Sequence, residues 1–181
     1  ESIVISSFPT YEESLNFEEE EKQMELRKVD KSNIWKIVHL SVSKEQEDFV
    51  ATNTESILEA YTVITSGGTA LPFGIYENEE LVGFVMIGYG TVDEEDPKIA
   101  EGNYCIWRFM IDKKYQHRGY GKRALEKILE YLNTRPVGDA KLCWLSYEPE
   151  NIGARTLYQK MGFIENGDVC DGEIVAIKSL E

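Results

Sequence analysis

From Met24 onward the hydrophobic and polar positions fall into regular periods. Met24-Glu25-Leu26-Arg27-Lys28-Val29 alternates as a half-buried strand does. Asp30 or Ser32 can cap a helix over 34–40, in which Ile34, Ile37 and Val38 sit at helical spacing. A second helix is predicted over about 54–64, with Ile57, Leu58 and Tyr61 on one face and Gly67-Gly68 as its stop. Phe73-Gly74-Ile75-Tyr76, a polar turn over 77–80 and the apolar run 81–89 read as a hairpin. Tyr104 to Ile111 is a further strand, rich in aromatic and β-branched residues. Over 122–133, Leu125, Ile128, Leu129 and Leu132 recur at i, i+3, i+4 and i+7, an apolar stripe that Pro136 and Gly138 bring to an end. Residues 142–146 read as a buried strand. Residues 152–161 read as a short helix, capped by Asn151 and closed by Gly162, and 174–177 as the last strand. This order implies an α/β fold, a mixed sheet with helices on both faces.

A chain of 181 residues with 42% apolar side chains suits one domain with a substantial core. Charge is what departs from the ordinary: the formal net charge is −14. Such a chain is a poor partner for nucleic acid or an anionic membrane and a good one for cations. Half of the excess lies in residues 1–25, where eight acids face a single Lys22, so residues 1–23 are expected to form an acidic extension ahead of a domain over 24–181. Cys105, Cys143 and Cys170 are an odd set with no paired spacing, and His39 and His117 lie far apart. Neither a disulfide framework nor a metal site is expected. No apolar run reaches membrane-spanning length and the start lacks a basic leader, so a cytoplasmic protein is expected.

Candidate chemistry concentrates in Gln116-His117-Arg118-Gly119-Tyr120-Gly121-Lys122, between a strand and an amphipathic helix. Glycines there let the backbone approach a ligand where the helix presents its positive end, which makes an anion cradle. Residues 112–127 carry six bases and two acids, a local reversal of the global charge. The spacing fits neither a P-loop nor a dinucleotide fingerprint.

The segment Gln116 to Gly121 resembles the Gln/Arg-x-x-Gly-x-Gly/Ala signature of the GNAT N-acetyltransferase superfamily. Asn151-Ile-Gly-Ala-Arg-Thr-Leu-Tyr158-Gln-Lys-Met-Gly162-Phe163 resembles that superfamily's second signature, about 30 residues downstream. The resemblance implies a central, mostly antiparallel sheet of six to seven strands. It implies acetyl-CoA as cofactor, with no metal, and is compatible with a homodimer. Phe109, Met110 and Ile111 would pair their backbone with the pantetheine arm. The stretch Gln116, His117, Arg118, Gly119, Tyr120, Gly121 and Lys122 would hold the pyrophosphate, Asn151 would bond the pantetheine, and Arg155 would also bind the cofactor. Tyr158 would be the general acid. Val42 to Asn53 and Trp107-Arg108-Phe109-Met110-Ile111-Asp112 further resemble bacterial spermine/spermidine N-acetyltransferases. A small-molecule polyamine is therefore the expected acceptor, with Glu45, Gln46, Phe49 and Glu148 as expected substrate-binding residues. An amine-bearing antibiotic, a protein amine or a catalytically silent CoA-binding module are the alternatives.

Transfer from a thioester to an amine needs a free-base nucleophile and a proton for the departing thiolate. A phenol, with a pKa near ~10, is neutral at pH 7 and able to donate. The amine is harder. At a pKa of about 10.4 it is neutral roughly once in 2,500 molecules at pH 7, and an acidic pocket raises its pKa further. Some relatives place a Glu early on the strand before the glycine loop; here that position is Cys105, and the base is left unassigned apart from Glu148 as a candidate. With no motif histidine beside any cysteine, direct transfer in a ternary complex is expected rather than a covalent acetyl-enzyme.

Overall fold

A computed structural model describes residues 23–91 and 93–181. The acidic run expected to form a separate extension lies almost wholly outside the described residues. Seven strands form one sheet: β1 (Met24–Lys28), β2 (Thr69–Glu77), β3 (Glu80–Tyr89), β4 (Tyr104–Ile111), β5 (Leu142–Tyr147), β6 (Ile164–Cys170) and β7 (Glu173–Ser179). Their spatial order is β1-β2-β3-β4-β5-β7-β6. Every pairing is antiparallel except β4 with β5.

Helices cover both faces. On one lie α3 (Tyr120–Asn133) and α4 (Ile152–Lys160), and on the other α1 (Ile34–Ile37) and α2 (Asn53–Thr65). The stripe read from α3 is its buried face: Leu125, Ile128 and Leu132 are fully enclosed, in one core with Phe73, Ile75, Val82, Tyr104 and Leu145. Ile37 and Ala60 close over Phe84, Met86 and Met110 on the opposite face. Covered on both sides, β3 is a near-continuous apolar run rather than an alternating one.

Three elements differ from the sequence reading. The first helix ends at Ile37, and the chain then forms a 3₁₀ turn over Lys44–Phe49 with a reciprocal Ser43–Gln46 capping box. Helix α3 begins at Tyr120, because Gly119, at φ 79°, occupies its N-cap. Strand β6 is unexpected: Ile-Glu-Asn-Gly-Asp-Val-Cys has no apolar face of its own. It is held as an edge strand by its ladder to β7, with an irregularity between Glu165 and Val169. Among the described residues no helix is long and apolar enough to cross a membrane.

Gly83 explains how closely β3 and β4 pack. A methyl group there would meet the Met110 carbonyl oxygen at 2.5 Å. Alanine normally stabilises a strand relative to glycine, but here it must push the backbone of β4 aside. Gly83→Ala is expected to lower stability by about 1–3 kcal/mol, the usual cost of overpacking; urea unfolding of the two proteins checks it.

Candidate active site

The site begins where the sheet comes apart. Strands β4 and β5 pair only at Tyr104–Cys143 and Cys105–Trp144. Beyond that, β5 stays in register with β7 along its whole length. Strand β4 instead follows β3 through a bulge: Ile87 faces Ile106 and Met86 faces Arg108, so Trp107 is the extra residue. A bulge bends its strand and re-aims side chains. The outer half of β4, which includes Phe109, Met110 and Ile111, therefore turns an unpaired edge toward β5. The gap opens into a cleft of about 1030 Å³, at the upper end for small-molecule sites and ample for two ligands side by side.

One end of the cleft is the glycine loop, and it is tied down from several directions. The buried Asp112 carboxylate accepts the backbone N–H groups of Ser41 and Lys114, both at 3.0 Å. Gln116 donates its side-chain amide to the Ile111 carbonyl and to Gln46 Oε1, each at 2.9 Å. His117 follows in the left-handed region at φ 62°. Both α2 and α4 have side-chain caps, Thr52 and Asn151, whereas α3 has none and carries no acid in its first turn. Its first amides thus lack a side-chain acceptor, at the positive end of a 14-residue helix. A Cβ built on Gly119 meets nothing within 4 Å, so the space before these amides is open. The arrangement suits an anionic group.

Tyr158 stands on α4. The helix is fixed by Asn151, whose Oδ1 takes the Ala154 N–H at 3.2 Å, and by a fork from Arg155 to Glu165 at 2.7 and 3.0 Å. Tyr147 also donates to Glu165, at 2.7 Å. Tyr158 packs between Tyr147 and Phe163, each with ring centroids 5.7 Å away. It is 8% exposed and lines the cleft. Burial pushes its pKa well above that of a free phenol, with nearby ionisable groups, Glu173 among them, adding to the effect. The hydroxyl therefore stays un-ionised at neutral pH.

Much of the remaining lining is acidic. Glu47 and Asp48 come from the 3₁₀ turn and Glu55 and Glu59 from α2. Asp93, Glu95 and Asp96 come from the β3–β4 loop, Asp171 from the β6–β7 turn and Glu173 from the first position of β7. Among the described residues these nine carboxylates face one guanidinium, Arg108, itself bonded to Glu59 at 3.0 Å. Cys105 also lines the cleft but is 7% exposed, and burial raises its thiol far above the ordinary range, which rules it out as a base at neutral pH.

The cleft brings together Phe109, Met110, Ile111, Gln116, His117, Gly121, Asn151, Tyr158, Gln46 and Phe49. Other expected residues stand apart from it. Arg155 is committed to Glu165. Glu45 is exposed on the 3₁₀ turn, its carboxylate bonded to Ser43. Glu148 lies in the connection to α4, where its carbonyl accepts the Asn151 N–H. Tyr120 bonds Glu77 and meets the Tyr115 ring edge to face, Lys122 pairs with Glu126 at 3.6 Å, and Arg118 is exposed. Within this cleft the sequence reading missed Trp107, Trp144, Ser146 and the acids of the two loops. Only the alternation along β5 and the acidic run 93–96 hinted at them.

Comparison with known proteins bears on this arrangement. Residues 25–163 match the acetyltransferase (GNAT) family. The chain belongs to that family. It is 38% identical over 110 residues to the spermine/spermidine N(1)-acetyltransferase of Bacillus subtilis strain 168, covering 60% of this chain and 70% of that protein. A probable spermine N(1)-acetyltransferase of Bacillus subtilis subsp. natto strain BEST195 is 39% identical over the same shares. Among solved structures, the aminoglycoside acetyltransferase AAC(6')-Ib in complex with coenzyme A has the same fold, with TM-score 0.70 at 16% identity over 87% of this chain and 95% of that one. This GNAT chain is thus an acetyltransferase whose two signatures meet at one cleft.

The Tyr147–Glu165–Arg155 tie makes a pH prediction. Hydrogen bonds from Tyr147 and Arg155 hold the Glu165 carboxyl below its ordinary range. A group with a depressed folded pKa adds stability above its unfolded value of about 4.3, and that stability is lost as pH falls through the folded value. Glu165→Gln should therefore lower the urea midpoint at neutral pH, and the gap to the parent should close as the solution is acidified below that range.

Proposed function

We propose that the protein transfers the acetyl group of acetyl-CoA to a primary amine of a polyamine such as spermine or spermidine, by direct attack with both substrates bound. The acidic lining of the cleft carries this reading. Nine carboxylates against one guanidinium suit a flexible polycation and nothing neutral or anionic. The named activity of the two Bacillus relatives supports the same acceptor.

The chain's own groups fit the donor as well. The uncapped amides of α3 and the open space at Gly119 suit a diphosphate, and the unpaired edge of β4 offers backbone bonds to an extended, peptide-like arm. Asn151 lines that stretch and keeps its side-chain NH₂ as a donor. Bound there, acetyl-CoA supplies an activated acyl carbon. Tyr158 delivers the proton that the sulfur needs as the C–S bond breaks; its raised pKa keeps it protonated until then.

Two experiments test the reading. Tyr158→Phe should lower kcat by about 10²–10⁴-fold, the usual worth of a positioned proton donor, with coenzyme A affinity by calorimetry unchanged; an unaltered kcat removes the role. The second is a panel of spermine, spermidine, lysine and an aminoglycoside, followed by release of free CoA. The polyamines should lead, and their kcat/KM should fall as salt is raised, because screening shortens the reach of the acidic lining to about 8 Å at 0.15 M. An aminoglycoside in the lead would reassign the acceptor. Coenzyme A binding with no turnover on any amine would make the protein a sensor.

A further inference from the structure

Resting on the reading above, one step is still without a residue: removal of the proton from the incoming ammonium. The alternation of the strands decides where to look. On β5, Cys143, Leu145 and Tyr147 belong to the core beneath α3 and α4, which also holds Tyr158. Leu142 and Trp144 pack on the opposite face with Cys105 and Val175. Ser146 continues that second face, and so does Glu173 on β7, two residues before Val175. Their contact agrees: Ser146 Oγ donates to Glu173 Oε2 at 2.5 Å. The opening between β4 and β5 therefore has Tyr158 on one face of the sheet and a serine-held carboxylate on the other, both lining one cleft and close enough for the carboxylate's charge to act on the phenol.

We infer that Glu173, oriented by Ser146, is the proton acceptor for the amine on the face of the sheet opposite Tyr158. Among the described residues it has no basic partner to neutralise it; its one hydrogen bond comes from a neutral hydroxyl. A carboxylate so held keeps free lone pairs. The groups around it are acidic or neutral: Cys170 faces it across the β6–β7 ladder and itself feels the charges of Asp96, Asp171 and Glu95, and Tyr158 on α4 lies within reach of the Glu173 charge. The base, Arg108, is engaged by Glu59. Trp144, two residues before Ser146 on the same face, is 4% exposed, and its buried Nε1–H has no hydrogen-bond partner among the described residues.

The protons balance. One passes from R–NH₃⁺ to the Glu173 carboxylate and afterwards to solvent. The freed nitrogen lone pair forms the C–N bond as the C–S bond breaks. The second N–H proton, acidified by the new bond, restores the one that Tyr158 gives to sulfur. Placing acceptor and donor on opposite faces prevents the short circuit in which Tyr158 returns its proton to the base.

Glu173→Gln tests this with two amines: spermidine, and a weakly basic alkyl amine that is mostly unprotonated at neutral pH. With spermidine at pH 7 the variant should lose about 10²–10⁴-fold in kcat, and the loss should shrink as pH rises and solvent deprotonates the amine. With the weakly basic amine, variant and parent should turn over at rates within a few-fold. Ser146→Ala should show the same pattern with a smaller loss. Melting temperature and coenzyme A affinity, measured on the same samples, should match the parent. If Glu173→Gln instead raises KM for spermidine with kcat and its pH profile intact, Glu173 only attracts the cation and the inference is overturned. A loss equal for both amines at all pH values also overturns it. No turnover by the parent on any amine would sink the acetyltransfer reading itself, a different failure from either of these.

Discussion

The structure depends on the early parting of two parallel strands. After two paired positions, β4 follows β3 through the Trp107 bulge, while β5 keeps its full antiparallel ladder with β7. Backbone groups in a sheet must be paired or reach water or a ligand, so the exposed edge of β4 is both a cost to the fold and a place where an extended ligand arm can bond. The same divergence is a passage from one face of the sheet to the other. The glycine loop and Tyr158 approach it from the face carrying α3 and α4, and the acidic residues approach from the face carrying α1 and α2.

Electrostatics divides the cleft in the same way. The chain is strongly acidic overall, yet the start of α3 combines an uncapped helix terminus with flanking bases, although Lys122 and Arg123 are largely engaged with Glu126 and Glu77. The favourable potential for an anion thus comes mostly from oriented amides, which cost no reorganisation. The carboxylates of the cleft come from four separate segments of chain, so their combined field exists only once the fold has gathered them.

Desolvation sorts the remaining candidates. Cys105, at the position where some relatives carry a glutamate, lies against Ala100, Trp144 and Val175, and burial keeps it a neutral thiol. Burial raises Tyr158 too and keeps it a neutral phenol. Tyr147, pushed up to about 12 by burial and then by its bond to Glu165, stays a neutral strut. The same physical effect thus holds all three groups uncharged.

What the sequence by itself determined follows from local chemistry. The apolar stripe of α3, the hairpin of β2 and β3, the Asn151 cap and the two signatures are written in short windows where spacing dictates structure. So Tyr158 and the glycine loop were legible in advance. Strand β6 was not, because an edge strand without an apolar face takes its conformation from its neighbour's ladder. Nor could spacing tell that Arg155 would be spent on Glu165, or that Glu148 would sit outside the cleft. The Ser146–Glu173 contact, the faces on which they and Tyr158 lie, and the gathering of Asp93, Glu95, Asp96 and Asp171 belong to the tertiary structure alone. Each depends on strand register, and register is fixed by how distant segments pack rather than by any residue's immediate neighbours.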